Sequence, residues 1–79
     1  MVDQRYLRPR DVDFCLAHVV EECGEVLAAA GKTQRWGFES YDPTIPIEKR
    51  ISNAQWLRQE IDDLKGAIER LENCMDKLP

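Results

Sequence analysis

The stretch ISNAQWLRQEIDDLKGAIERLENCMDKL, residues 51 to 78, decides the fold. It opens on a start signal. Ser52 followed by Gln55 makes a capping box, with the Gln side chain returning to the Ser52 amide. Ile51 before the cap and Trp56 at the fourth helical position match a hydrophobic staple. Leu57, Ile61, Leu64, Ile68, Leu71, Met75 and Leu78 then recur at spacings of four and three. That spacing predicts a helix over about 52–76 with a heptad-like seam, suited to a neighbour crossing at a shallow angle. A second stripe beside the seam holds Asn53, Trp56, Glu60, Asp63, Ala67, Arg70 and Cys74, so Glu60 and Asp63 stand at the border of the packing side. Arg58, Asp62, Lys65, Glu69, Glu72 and Asp76 make the solvated face.

Upstream, Pro9 and Asp11 suit a helix start, the one as a first-turn residue and the other as a cap. From Val12 the apolar residues Leu16, Val19, Val20, Cys23, Val26, Leu27 and Ala30 follow at helical spacing. Gly31 fits a C′ position, which predicts a first helix over about 11–30. Its apolar stripe is wide enough to touch more than one neighbour. The connection, 31–51, is punctuated by Gly31, Gly37, Pro43 and Pro46 and carries Arg35, Trp36, Phe38 and Tyr41. An ordered connection of that length in so small a chain reads as a lid or binding loop, with a single helical turn around 46–50.

Seventy-nine residues make a single domain, 1–79, with a modest core. Two helices cannot cover these apolar faces alone. The expected fold is therefore all-α: a helical hairpin that pairs into a four-helix bundle as a homo-oligomer, dimer or tetramer. Eleven basic residues against 15 acidic give a net charge of −4, which argues against binding a nucleic-acid polymer. No apolar run is long enough to span a bilayer, and residues 1–10 are polar with no signal-peptide core, so the expectation is a cytoplasmic protein without membrane contact. Cys15 and Cys23 fall on apolar faces and read as small core hydrophobes; with Cys74 the count is odd and no Cys-x-x-Cys pair occurs.

The chemistry lies in two acidic clusters, Glu21-Glu22-Cys23-Gly24-Glu25 and Glu60-Ile61-Asp62-Asp63. Positions i and i+3 share a helix face, which pairs Glu22 with Glu25 and Glu60 with Asp63. A hairpin would bring the four carboxylates together, where their repulsion calls for a hard cation with oxygen ligands, Mg²⁺ first. Glutamate is also a good helix former, so such pairs often lie on solvated surface. Against that stand the inward side of both pairs and Gly24, which interrupts a helix either to allow close approach or for no structural reason. His18 shares the stripe of Glu22, Glu25 and Ala29. It reads as a structural histidine, because Mg²⁺ prefers oxygen.

The two clusters resemble the E-E-x-x-E … E-x-x-D signature of MazG-type nucleoside triphosphate pyrophosphohydrolases. Residues 31–38 and 53–71 look like the small branch of that family found in phages and mobile elements. The resemblance covers about 12–72, with a longer connection than the compact family pattern. It implies hydrolysis of a nucleoside triphosphate, ribo- or deoxy-, to monophosphate and pyrophosphate by water attack at the α-phosphorus, a nucleotide-pool housecleaning activity. It implies Glu22, Glu25, Glu60 and Asp63 as ligands of Mg²⁺, with Mn²⁺ as a substitute. Glu25 would orient or deprotonate the water, and Glu21 would either assist behind the ligands or be solvated. Lys32 and Arg35 are candidates for the polyphosphate, against helix-end and loop charges. Trp36 is a candidate for stacking on the base, against packing over the bundle end. Asn53 is a candidate for sugar or base, against merely solvating the first turn. The competing readings are a phosphoribosyl-nucleotide pyrophosphatase on the same scaffold and a non-catalytic helical interaction module.

Overall fold

The computed structural model describes residues 10–78. Its order is α1 (Arg10–Trp36), a short 3₁₀ turn (Ile47–Lys49) and α2 (Asn53–Asp76). The helices pack on each other as a hairpin, and no strand occurs among the described residues; an isolated bridge joins Tyr41 to Ser52.

α2 begins as its sequence predicts. The Gln55 amide donates to Ser52 Oγ at 3.1 Å, and the Ser52 amide donates to Gln55 Oε1 at 2.9 Å. Ile51 and Trp56, the two residues of the expected staple, both border a hollow beside this start. α1 differs from the expectation: it runs through Gly31 to Trp36, and the connection is correspondingly shorter. One helical glycine costs only about 1 kcal/mol relative to alanine, too little to end a packed helix. Thr33 behind it is buried and donates its hydroxyl to the Ala29 carbonyl at 2.8 Å. The stop is Gly37, at φ 96°, whose amide donates to the Thr33 carbonyl at 2.8 Å in an αL cap.

The connection then folds back over the start of α2. The Asn53 amide donates to the Ser40 carbonyl at 2.7 Å and the Ala54 amide to the Phe38 carbonyl at 2.9 Å. The Asn53 side chain adds a bond from Nδ2 to the Gly37 carbonyl at 3.0 Å. Asp42 forms an Asx-type turn with Thr44, and Arg50 reaches back to the carbonyls of Ile45 and Pro43. The predicted turn around 46–50 is the 3₁₀ segment.

Which stripes face each other differs from the sequence reading. On α1 the side towards α2 carries Val12, Glu22, Ala29 and Thr33, all buried, with Val19 and Val26 half-buried. On α2 it is the acid-bearing stripe: Asn53 and Ala67 are buried, and Trp56, Glu60 and Cys74 half-buried. The Leu/Ile seam flanks this contact and stays partly uncovered, with Ile68 40% and Met75 53% exposed. Ala29 and Ala67 lie at 0% exposure, and no large side chain among the described residues is fully buried. The helices thus meet over small and polar groups. Outside, α1 leaves Leu16, Val20, Cys23 and Leu27 exposed at spacings of four, three and four. Cys23 is therefore not a core residue of the hairpin, whereas Cys15 is half-buried against Cys74.

Candidate metal centre

The hairpin gathers three carboxylates. One oxygen each from Glu22, Glu25 and Glu60 lie within 4.8 Å of one another. Glu22 and Glu25 come from adjacent turns of α1, and Glu60 from the facing stripe of α2.

Two of the three are built alike. His18 lies four residues before Glu22, and its Nε2 meets Glu22 Oε1 at 3.1 Å. Trp56 lies four residues before Glu60, and its Nε1 donates to Glu60 Oε1 at 3.1 Å. In each carboxylate the second oxygen, Oε2, is buried without a hydrogen-bond partner. Glu22 as a whole is 9% exposed. An ionised carboxylate only accepts, and leaving a buried acceptor unmet costs about 1–3 kcal/mol, more when charged. The indole and imidazole fix which way each carboxylate points, and each leaves its second oxygen without a partner.

The tautomer of His18 follows from a second contact. Arg70 Nη2 lies 3.2 Å from His18 Nδ1. A guanidinium has no acceptor, so Nδ1 must accept, and Nε2 carries the proton it donates to Glu22. Arg70, His18 and Glu22 form a directed chain from α2 to α1.

Electrostatics agree with the geometry. The Glu60 pKa is raised, first by burial and then by the Glu25 side chain, which can hydrogen-bond to Glu60 only when one of the two carboxyls carries a proton. The Trp56 bond opposes this, and the charges of Glu25 and Asp63 add to the rise. A proton shared between Glu25 and Glu60 is one way to relieve the cluster. A bound cation would be another.

Asp63 stands beside the three rather than among them. It is exposed and lines a polar hollow of about 380 Å³ with His18, Glu22, Asp62, Gly66 and Arg70. Asp62, expected on the solvated face, reaches the rim of this hollow. Glu21 is exposed and outside the cluster. Gly24 does not permit a close approach within the hairpin, since a Cβ there would meet nothing within 4 Å.

The other predicted contacts collect at the connection. Lys32, Trp36, Tyr41, Asp42, Pro43 and Asn53 line an open hollow of about 420 Å³. Trp36 is 69% exposed there. Lys32 Nζ sits 4.8 Å from the centre of the Trp56 ring and 4.0 Å from Asp42 Oδ2. Asn53 is buried and fastens the connection to α2, so its amide N–H is already engaged. Arg35 is exposed in the last turn of α1. Trp56 links the two regions: it lines a smaller hollow with Lys32, Asp42 and Asn53 and donates to Glu60. By sequence, Trp56 reads as a staple, His18 as structural and Arg70 as a stripe member. The spacing of four from His18 to Glu22 and from Trp56 to Glu60 was the signal that could have tied two of them to the acids.

Comparison of the chain with protein-family models, curated proteins and solved structures gave no match.

Proposed function

We propose that the chain is a MazG-type nucleoside triphosphate pyrophosphohydrolase, dependent on Mg²⁺ and acting in the cytoplasm. One observation carries the reading: Glu22 and Glu60, on different helices, each hold one oxygen clamped by an i−4 donor and one buried with no donor. Two acceptor-only atoms beside a third carboxylate fit a hard divalent cation. Glu22, Glu25 and Glu60 would hold it, and Asp63, across the polar hollow, would serve a second ion or its waters. When bound, magnesium neutralises phosphate oxygens and acidifies a water.

The chain's own residues supply the rest. Trp56 and His18 orient the ligands. Glu25 has neither clamp, so it is the carboxylate with freedom to take a proton from the attacking water. That water adds to the α-phosphorus, the bond to the α,β-bridging oxygen breaks, and monophosphate and pyrophosphate leave. The aromatic hollow of Trp36 and Tyr41 would receive the base, and Lys32 the phosphate tail. Along α2, Asn53 at the edge of the base hollow precedes Glu60 by roughly 10 Å of helical rise, a separation that a nucleoside triphosphate would span.

The exposed stripe of Leu16, Val20, Cys23 and Leu27 and the half-covered α2 seam support pairing of two hairpins into a four-helix bundle. The test is a panel of ribo- and deoxyribonucleoside triphosphates with Mg²⁺ and the pure protein. Pyrophosphate release, lost in Glu60→Gln and kept in Glu69→Gln, is the expected result. Release of orthophosphate alone would refute attack at the α-phosphorus. Turnover of no nucleotide by a normally assembled protein would favour the interaction module.

A further inference from the structure

The connection closes one end of the hairpin. At the other, Cys15 in the second turn of α1 meets Cys74 in the last turn of α2. Their sulfurs lie 3.1 Å apart across a sequence separation of 59 residues. A disulfide bond is about 2.05 Å long, so the sulfurs need to close by only about 1 Å. Both thiols are half-buried, reachable by a small molecule yet facing each other. Cys23 is exposed on α1 and belongs to no such pair.

We propose that Cys15 and Cys74 form a dithiol site that takes up an intramolecular disulfide from a low-molecular-weight disulfide such as oxidised glutathione. One protein thiolate attacks the small disulfide, breaks its S–S bond and releases one thiol. The second protein thiolate attacks the mixed disulfide at the protein sulfur, forms the Cys15–Cys74 bond and releases the other thiol. The protein is oxidised, the small disulfide is reduced to two thiols, and the two protein protons end on those thiols. The bond locks a ring containing both acidic clusters and the whole connection. In the chain-entropy picture, long rings restrain the unfolded chain most. The Cys74 pKa is raised, chiefly by the hydrogen bond with Cys15 and then by burial, with Asp11 adding and Lys77 opposing. A raised pKa holds Cys74 as the thiol, so the exchange runs faster as pH rises and more of it ionises. None of this depends on the proposed hydrolase activity.

The full chain is equilibrated in mixtures of reduced and oxidised glutathione, denatured, alkylated and weighed intact, then mapped by peptides. The expected product is monomeric, two hydrogen atoms lighter, alkylated once at Cys23 and linked through Cys15 and Cys74. Its melting temperature exceeds that of the reduced form by on the order of 10 °C. Cys23→Ser keeps both the link and the shift, and Cys74→Ser loses both. Three alkylated thiols at every ratio would overturn the proposal. So would glutathione adducts on Cys15 or Cys74 without an internal bond, or a Cys23-linked dimer as the sole disulfide.

Discussion

Trp56 donates its indole N–H to Oε1 of Glu60 at 3.1 Å, while Oε2 of the same carboxylate is buried with no hydrogen-bond partner among the described residues. The indole holds the carboxylate half-satisfied. Trp56→Phe keeps the ring and removes the N–H. Partners of this kind typically account for about 10–100-fold in metal affinity. Titration calorimetry with Mn²⁺ or Mg²⁺ should show a loss of that order at unchanged helix content. Equal affinity in the two proteins would mean that the bond does not orient a ligand.

The raised Glu60 pKa has a consequence for stability. Its folded pKa lies above the ordinary 4.5, so its favourable contribution is complete below 4.5 and is lost as pH rises through the folded value. Without metal, wild type should therefore lose stability relative to Glu60→Gln over that interval, as read by urea unfolding in chelator. Saturating Mg²⁺ should restore wild type near neutral pH, by about 2.7 kcal/mol at a hundredfold excess over Kd, and leave Glu60→Gln unmoved. A flat difference between the two proteins across the interval would contradict the crowding of Glu25 and Glu60.

Gly24 is helical, exposed and open on the side where a Cβ would point. Gly24→Ala should stabilise the fold by about 1 kcal/mol, or roughly 4–8 °C in melting temperature. Destabilisation instead would place another surface against Gly24.

Leu27 is 73% and Val20 65% exposed on the outer stripe of α1. A charge there would be harmless on a solitary hairpin. In a bundle it would be buried and unpaired. Leu27→Glu should shift sedimentation from oligomer to monomer and lower the melting temperature. An unchanged sedimentation coefficient would assign that stripe to solvent.

The start of α2 is plain in the sequence because the Ser52–Gln55 box is local, made within one turn. The end of α1 is not. Gly31 carries the same local mark as Gly37, and only the buried Thr33 and the fold-back of the connection decide which one stops the helix. The acids are legible as pairs, but the surface they pack against is not. The Leu/Ile seam has the stronger apolar pattern, yet the acid stripe faces α1, where Ala29 and Ala67 let the helices come close. That choice depends on contacts between residues far apart in sequence, which periodicity on one helix does not encode. The same gap hid the Cys15–Cys74 and His18–Arg70 contacts. No helix among the described residues is long and apolar enough to cross a membrane, as hydropathy alone foretold.

The fold-back of the connection also limits how the proposed site could receive a polyphosphate. The first amides of a helix commonly cradle phosphate. Here Asn53 and Ala54 give theirs to the carbonyls of Ser40 and Phe38, and Gln55 gives its own to Ser52. No backbone cradle is left at the mouth of α2. An anionic guest must bring its counterions or find them on side chains, and its binding should therefore respond to divalent salt far more steeply than that of a protein whose backbone grips phosphate directly.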